Sequence, residues 1–206
     1  PDHQQRQIAD QFRHVKRPLL AAALGRGVEP LPNGRMIMVA SSLPAEGKTF
    51  VSVNLALSMS LERDISVVLV DADVAKPHIS RLFGVDGEPG LLEALQDERL
   101  DIESLILPTD ILKFSILPAG AQSDTATELL ASQRMQAIVT RLATSQDRSR
   151  VVVFDSPPLL LTSESRVLAQ PMGQVVLVVQ AGKTPQYAVQ DAIRCLGEHK
   201  PVSLLL

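Results

Sequence analysis

The chain has 206 residues, 45% of them hydrophobic and 21% charged, which suits one α/β domain with a sizeable core. A formal net charge of -3 and an aromatic content of 3%, with no Trp and one Tyr, argue against a basic grip on nucleic-acid phosphates and against a base-stacking platform. The single cysteine, Cys195, leaves no internal disulfide and no Cys-rich metal site; it reads as a small apolar residue in a reducing compartment.

In chain order, "PDHQQRQIAD" is polar and lacks a signal peptide's apolar core, and no apolar run approaches the roughly 18 residues that span a bilayer. Gln7–Leu24 reads as a helix, and "GRGVEPLPNG" behind it as a Gly/Pro-rich connector, so residues 1–34 form an element of their own. That helix is expected to pack on the domain or on another molecule. Residues 35–206 then alternate strands and helices. Strands are predicted at Met36–Ala40, Val67–Asp71, Phe114–Pro118, Val151–Asp155, Val175–Gln180 and from Val202 onward. Helices are predicted at Lys48–Glu62, Pro77–Phe83, Leu91–Gln96, Ser132–Ser145, Glu164–Ala169 and Gln186–Glu198, with "ATELLASQRM" read as helical on the sheet edge. Runs such as "VVLVD" and "VVVFD" are apolar without alternation, as strands covered on both faces are. The expected fold is a doubly wound, mostly parallel sheet with helices on both faces. "PVSLLL" stops inside a strand-like run, so both ends read as cut.

In such a sheet, ligands bind beyond the carboxyl ends of the strands. Three of those ends carry chemistry. "SSLPAEGKT" comes directly after the first strand and opens a helix, the setting of a phosphate-binding loop. It has Ser42 where the pattern G-x-x-x-x-G-K-[ST] has glycine, then Pro44, Ala45, Glu46, Gly47, Lys48, Thr49 and Phe50. Gly47 permits close backbone approach, Lys48 supplies a positive charge for β- and γ-phosphates, and Thr49 offers a hydroxyl to Mg²⁺. Asp71 closes the second strand and Asp73 stands two residues on, so both carboxylates share a face of extended backbone. Asp155 closes "VVVFD", where nucleotide-hydrolysing folds place a carboxylate for magnesium. Lys48, Asp71 and Asp73 are the catalytic candidates; Thr49, Asp71 and Asp155 are the metal candidates. Asp71 or Asp73 would orient or deprotonate a nucleophile. The implied ligands are ATP or ADP with Mg²⁺.

The set "SSLPAEGKT", "VVLVDADVAKPHISRLFG" and "VVVFDSPPLLLTSES" resembles the bacterial tyrosine kinases (BY-kinases) of exopolysaccharide assembly, in particular the autokinases of exosortase-linked loci. In that family the loop commonly reads Ser-Ser-x-Pro-x-x-Gly-Lys, which makes Ser42 a family letter. The resemblance implies Lys48 on the phosphates, Thr49 and Asp155 at Mg²⁺, and Asp73 as base toward a tyrosine hydroxyl. It also implies a membrane-embedded chain-length partner, a place at the cytoplasmic face of the membrane, and a tyrosine-rich C-terminal tail as substrate. The family's ring-forming E-x-x-R-x-x-R is matched by Asp10, Arg13 and Lys16 of "DQFRHVK", with conservative changes at both ends. Two departures stand out. Ala75, with Lys76 next to it, occupies the place of a usual arginine, and the one tyrosine, Tyr187, reads as packing rather than as a phosphosite. Leu43 stands where ParA/MinD-type ATPases carry a signature lysine; a switch of that type, without tyrosine kinase activity, is the alternative, and an ADP-binding ring scaffold is the third reading.

Overall fold

The computed structural model describes residues 3–197 and 199–206, with side chains from Arg6 onward. Helix α1 (His3–Leu24) precedes strand β1 (Met36–Ser41), helix α2 (Lys48–Ser60) and strand β2 (Ser66–Asp71). Short helices α3 (His78–Leu82) and α4 (Leu91–Gln96), a 3-10 turn at Ile102–Leu105 and strands β3 (Leu107–Pro108) and β4 (Phe114–Leu117) come next. After them come α5 (Ala126–Leu130), α6 (Gln133–Ala143), β5 (Arg150–Asp155), α7 (Glu164–Ala169), β6 (Gln174–Val178), α8 (Gln186–Leu196) and β7 (Val202–Leu205).

The strands lie in the order β3-β4-β2-β5-β1-β6-β7, and every pairing is parallel except β3 with β4. The chain leaves β1 toward β2 on one side and later reaches β6 on the other. The crevice beyond the carboxyl end of β1 is therefore a topological switch point.

Period-two alternation assigns the two faces. Ile37, Val39, Val67, Leu69, Val151 and Val153 pack under α1, α2 and α3 with Phe12, Leu19, Leu20, Leu55, Met59 and Ile79. Met38, Val70, Val152 and Phe154 pack on the opposite layer with Leu92, Met135, Ile138 and Leu168. By the same parity, Asp71 and Asp155 belong to the α2 face, and their Cα atoms are register partners on neighbouring strands. That placement brings the two carboxylates beneath the start of α2.

Helix α1 docks on α2. Its stripe of Phe12, Leu19, Leu20 and Ala23 is buried, and Phe12 meets Phe50 with ring centroids 6.2 Å apart. The Lys16 ammonium turns inward, to the Ser58 carbonyl and to Glu62 at 2.7 Å. The side-chain amide of Gln174 donates to Leu19 O and Gly34 O, tying α1 and its connector to the start of β6.

Several expected boundaries change. The stretch read as one helical run, "ATELLASQRM", is broken between α5 and α6, because the Ser132 hydroxyl accepts from Met135 N and starts a new helix. Strand β3 and the 3-10 turn before it were not anticipated. Two residues are too few for periodicity, and Pro108 suits only a sheet edge. The expected strand to Gln180 ends as β6 at Val178, and Tyr187, expected to pack, is 68% exposed on α8. Glu198, the expected last residue of that helix, lies outside the described residues.

The connector also sets a steric limit. A Cβ on Gly173 would stand 2.2 Å from the backbone carbonyl carbon and oxygen of Asn33, where no flexible side chain can yield. Gly173→Ala is expected to lower stability by about 1–3 kcal/mol, as overpacking does, read as a lowered urea midpoint at unchanged slope.

Candidate functional site

The loop from Ser42 to Gly47 leaves β1 and enters α2 with two left-handed residues, Ala45 at φ 64° and Gly47 at φ 88°. Glycine takes that conformation freely; alanine does not, so the loop carries backbone strain at Ala45. No side chain caps α2, so its first N–H groups and the positive end of its dipole face the cleft. The cleft has a volume of about 550 Å³; Pro44, Ala45, Gly47, Lys48, Thr49 and Phe50 line it on one side. Asp73, Val74, Lys76, His78, Leu130, Pro157, Pro158 and Leu161 line it on the others.

At its floor, Lys48 Nζ lies 3.2 Å from Asp73 Oδ2 and 3.2 Å from Asp155 Oδ1. The Thr49 hydroxyl donates to Asp155 Oδ2 at 2.8 Å, and the Ser52 hydroxyl lies 2.9 Å from Asp155 Oδ1. Asp71 faces another way. Its Oδ2 accepts from both the backbone N–H and the hydroxyl of Ser80, each at 2.7 Å, and the same hydroxyl accepts from Ala119 N. Asp71 Oδ1 and Ser42 Oγ are the two buried side-chain atoms without a partner among the described residues.

Lys48, Thr49, Asp73 and Asp155 are thus brought into one contact set, with Asp71 beside them but sealed behind Ser80. Ser42 is fully buried, and Glu46 turns away from the cleft toward Leu43 and Thr184. Lys76 is exposed on the cleft wall next to Ala75. Asp10 and Arg13 pair with each other on the exposed side of α1, whereas Lys16 is buried against α2; the three do not form one outward face. Sequence reasoning missed Ser52 and Ser80. Ser52 was findable, since it stands four residues after Lys48 on one helix face. Ser80 carried no signal before α3 folded over β2.

The electrostatics suit a cation-bound anion. One ammonium serves the carboxylates of Asp73 and Asp155, while Asp71 beside them has none. Burial is the main force pushing the Asp71 carboxyl up to about 6; the Ser80 hydrogen bonds oppose it, and the charges of Asp155 and Asp73 add to it. Burial also pushes the Asp155 carboxyl up, against the opposing pull of Lys48, Thr49 and Ser52. The donors are carboxylate and hydroxyl oxygens, ligands for a hard cation such as Mg²⁺. No three His, Cys, Asp or Glu side chains among the described residues form a ready cage. Mg²⁺ takes one or two carboxylates and fills its shell with water and phosphate oxygens. The uncapped helix start, with Thr49 and Asp155 beside it, therefore fits a metal-complexed phosphate.

The shifted Asp71 has a consequence for stability. Its folded value, about 6, lies above its ordinary 3.8. Below both values the group is protonated in either state and costs nothing; as pH rises through that window the unfolded chain ionises first and the fold loses stability. In metal-free protein, Asp71→Asn should gain on the wild type across the window by on the order of 2–3 kcal/mol and then level off. Denaturant titrations in a chelating buffer check this, and a pH-independent difference would contradict it.

The chain is similar to known proteins. The family model described as ParA, a NUBPL iron-transfer P-loop NTPase, matches residues 33–196. The tyrosine-protein kinase YwqD of Bacillus subtilis is 26% identical over 192 residues, covering 93% of this chain and 76% of that protein. The tyrosine-protein kinase ptk of Acinetobacter johnsonii is 27% identical over 149 residues, covering 72% of this chain and 20% of that one. The chain therefore spans about a fifth of the length of the longer relatives. The kinase domain of the Escherichia coli tyrosine kinase ETK superposes with a TM-score of 0.81 at 26% identity, covering 95% of this chain and 74% of that domain.

Proposed function

This chain belongs to the ParA family of P-loop NTPases, and from that premise we propose that it is an ATP- and Mg²⁺-dependent protein-tyrosine autokinase. The observation that carries the reading is the Lys48 ammonium between Asp73 and Asp155 at the start of α2. The likeness to YwqD, ptk and ETK over most of this chain supports tyrosine as the acceptor. The family model's description names iron transfer, but a single cysteine offers no thiolate set for an iron–sulfur cluster.

In this reading the uncapped N–H groups of α2 and Lys48 bind the phosphates of ATP. Thr49 and Asp155 hold the metal site. When bound, Mg²⁺ supplies positive charge against the phosphate oxygens. Asp73 is the base. It lines the cleft, whereas Asp71 is fully buried with one oxygen held by Ser80 and cannot reach an incoming hydroxyl. The pKa of Asp71 would suit proton transfer near neutrality, but its burial behind Ser80 favours Asp73 in this reading. Leu130, Pro157, Pro158 and Leu161 give the cleft an apolar wall against which an aromatic ring packs.

Tyr187 is exposed on α8 and does not line the cleft. A tyrosine-rich tail, offered by one copy to another, completes the proposal. A ring through the exposed Asp10 and Arg13, and regulation of extracellular polysaccharide export with a membrane-embedded chain-length partner, belong to it as well. No helix of the described residues is long and apolar enough to cross a membrane.

The full-length protein with its activating partner, ATP and Mg²⁺ should accumulate phosphotyrosine, and Lys48→Met should abolish it. Asp73→Asn should lower kcat by about 10²–10⁴-fold, the usual worth of a general base, with a much smaller change in nucleotide affinity. The family match also favours a ParA-type ATPase switch as the second reading; phosphate release without phosphotyrosine would select it and reject the kinase.

A further inference from the structure

A carboxylate in the middle of an anion-binding loop opposes the loop's task unless it is held elsewhere. Glu46 is such a residue, and it is only 6% exposed. Its Oε2 accepts from Leu43 N at 2.8 Å, within the loop, while its Oε1 accepts from the Thr184 hydroxyl, 138 residues away in sequence. That hydroxyl in turn accepts from Gln180 N at 3.1 Å. The turn it belongs to is closed by Lys183 N and Thr184 N, both donating to Gln180 O at 3.0 and 2.9 Å. The chain of bonds runs from Leu43 through Glu46 and Thr184 to Gln180, joining the loop after β1 to the turn after β6. Those two strands are neighbours in the sheet, which is what puts the partners in reach.

The residues on either side of Glu46 are the left-handed ones, Ala45 and Gly47. For Ala45 that conformation persists only if its surroundings over-determine it. The two anchors of Glu46 supply this: one fixes the loop to itself, the other fixes it to a separate turn. They also engage both carboxylate oxygens with donors outside the cleft, keeping the negative charge away from the phosphates.

We propose that Glu46 is a positioning residue: with Thr184 it locks the phosphate loop and the Gln180–Thr184 turn into one preformed unit, so that nucleotide binds without first ordering the loop. This deepens the nucleotide-site reading and rests on it. Gln180 and Ala181 of the turn border, with Gly47 and Phe50, a groove beside the loop, so the same lock relates that groove to the phosphates.

The test is nucleotide affinity by calorimetry on the full-length protein, with Mg²⁺ and a non-hydrolysable ATP analogue or ADP. Thr184→Val should weaken binding about tenfold, the loss of one hydrogen bond to a charged group, and Glu46→Ala, which also removes the acceptor of Leu43 N, by at least as much. The double variant should be no weaker than the poorer single variant, because Glu46→Ala already removes the contact that Thr184 makes. Thr184→Ser, which keeps the hydroxyl, should bind within about twofold of wild type, and Glu46→Gln, which keeps one acceptor, should fall between wild type and Glu46→Ala. Thermal unfolding without nucleotide separates loss of affinity from loss of fold. Additive losses, unchanged affinity in every folded variant, or tighter binding by Glu46→Gln would overturn the proposal; tighter binding would mean that charge alone matters. A wild-type protein that binds no nucleotide would instead defeat the underlying reading of the site.

Discussion

The buried Lys48 ammonium is the constraint around which the rest of this molecule is arranged. It stands 3.2 Å from two carboxylates, one at the end of β5 and one past the end of β2, while its own backbone begins α2. A charge taken out of water is tolerated only when paired and hydrogen-bonded. The loop, the strand ends and the helix must therefore meet at this point, or the lysine is left uncompensated. The converse holds for the acids. Asp155 has Lys48, Thr49 and Ser52 as partners, whereas Asp71 has Ser80 on one oxygen and, among the described residues, nothing on the other. The site is balanced for one negative group and has acid to spare, which favours a ligand that arrives with its own cation.

Around that point the architecture is layered so that each disturbance is local. Helix α1 covers α2 through an apolar stripe, an aromatic contact and the inward-turned Lys16. The Gln174 side chain clasps α1 and its connector to β6, the strand whose far end leads to Thr184. The phosphate loop is consequently braced on three sides: by α2, which it opens; by the segment after β5, where Leu159 and Leu160 donate to Ser41 O and Ser42 O; and by the Thr184 turn. Bracing of this kind is what a backbone cradle needs, since a donor displaced by even a fraction of an ångström loses much of its value to a bound anion.

Most of the sheet was legible in advance. "VVLVD" and "VVVFD" could be assigned to buried parallel strands because an apolar run of that length has no other economical place in a domain of this size. The helices at Leu91–Gln96 and Glu164–Ala169 match their expected bounds. Legibility failed where local pattern was weak or overruled. Leu107–Pro108 becomes a strand only because β4 lies beside it, and the α5–α6 break depends on a single serine hydroxyl turning back on its own backbone. Tyr187 reads as packing from the sequence, but its side of α8 faces solvent.

By itself the sequence determined which residues stand at the strand ends, since strand period and loop composition are local properties and Lys48, Thr49, Asp71, Asp73 and Asp155 could be listed from them. Only the tertiary structure decided which of these carboxylates faces the cleft. Asp71 and Asp73 are equivalent by spacing, yet α3 closes over the first and leaves the second in the cleft. The partnership of Glu46 with Thr184 and the inward turn of Lys16 were decided in the same way. Each depends on which surface the finished fold sets against a side chain, and burial and hydrogen-bond geometry at long range have no signature in a short stretch of chain.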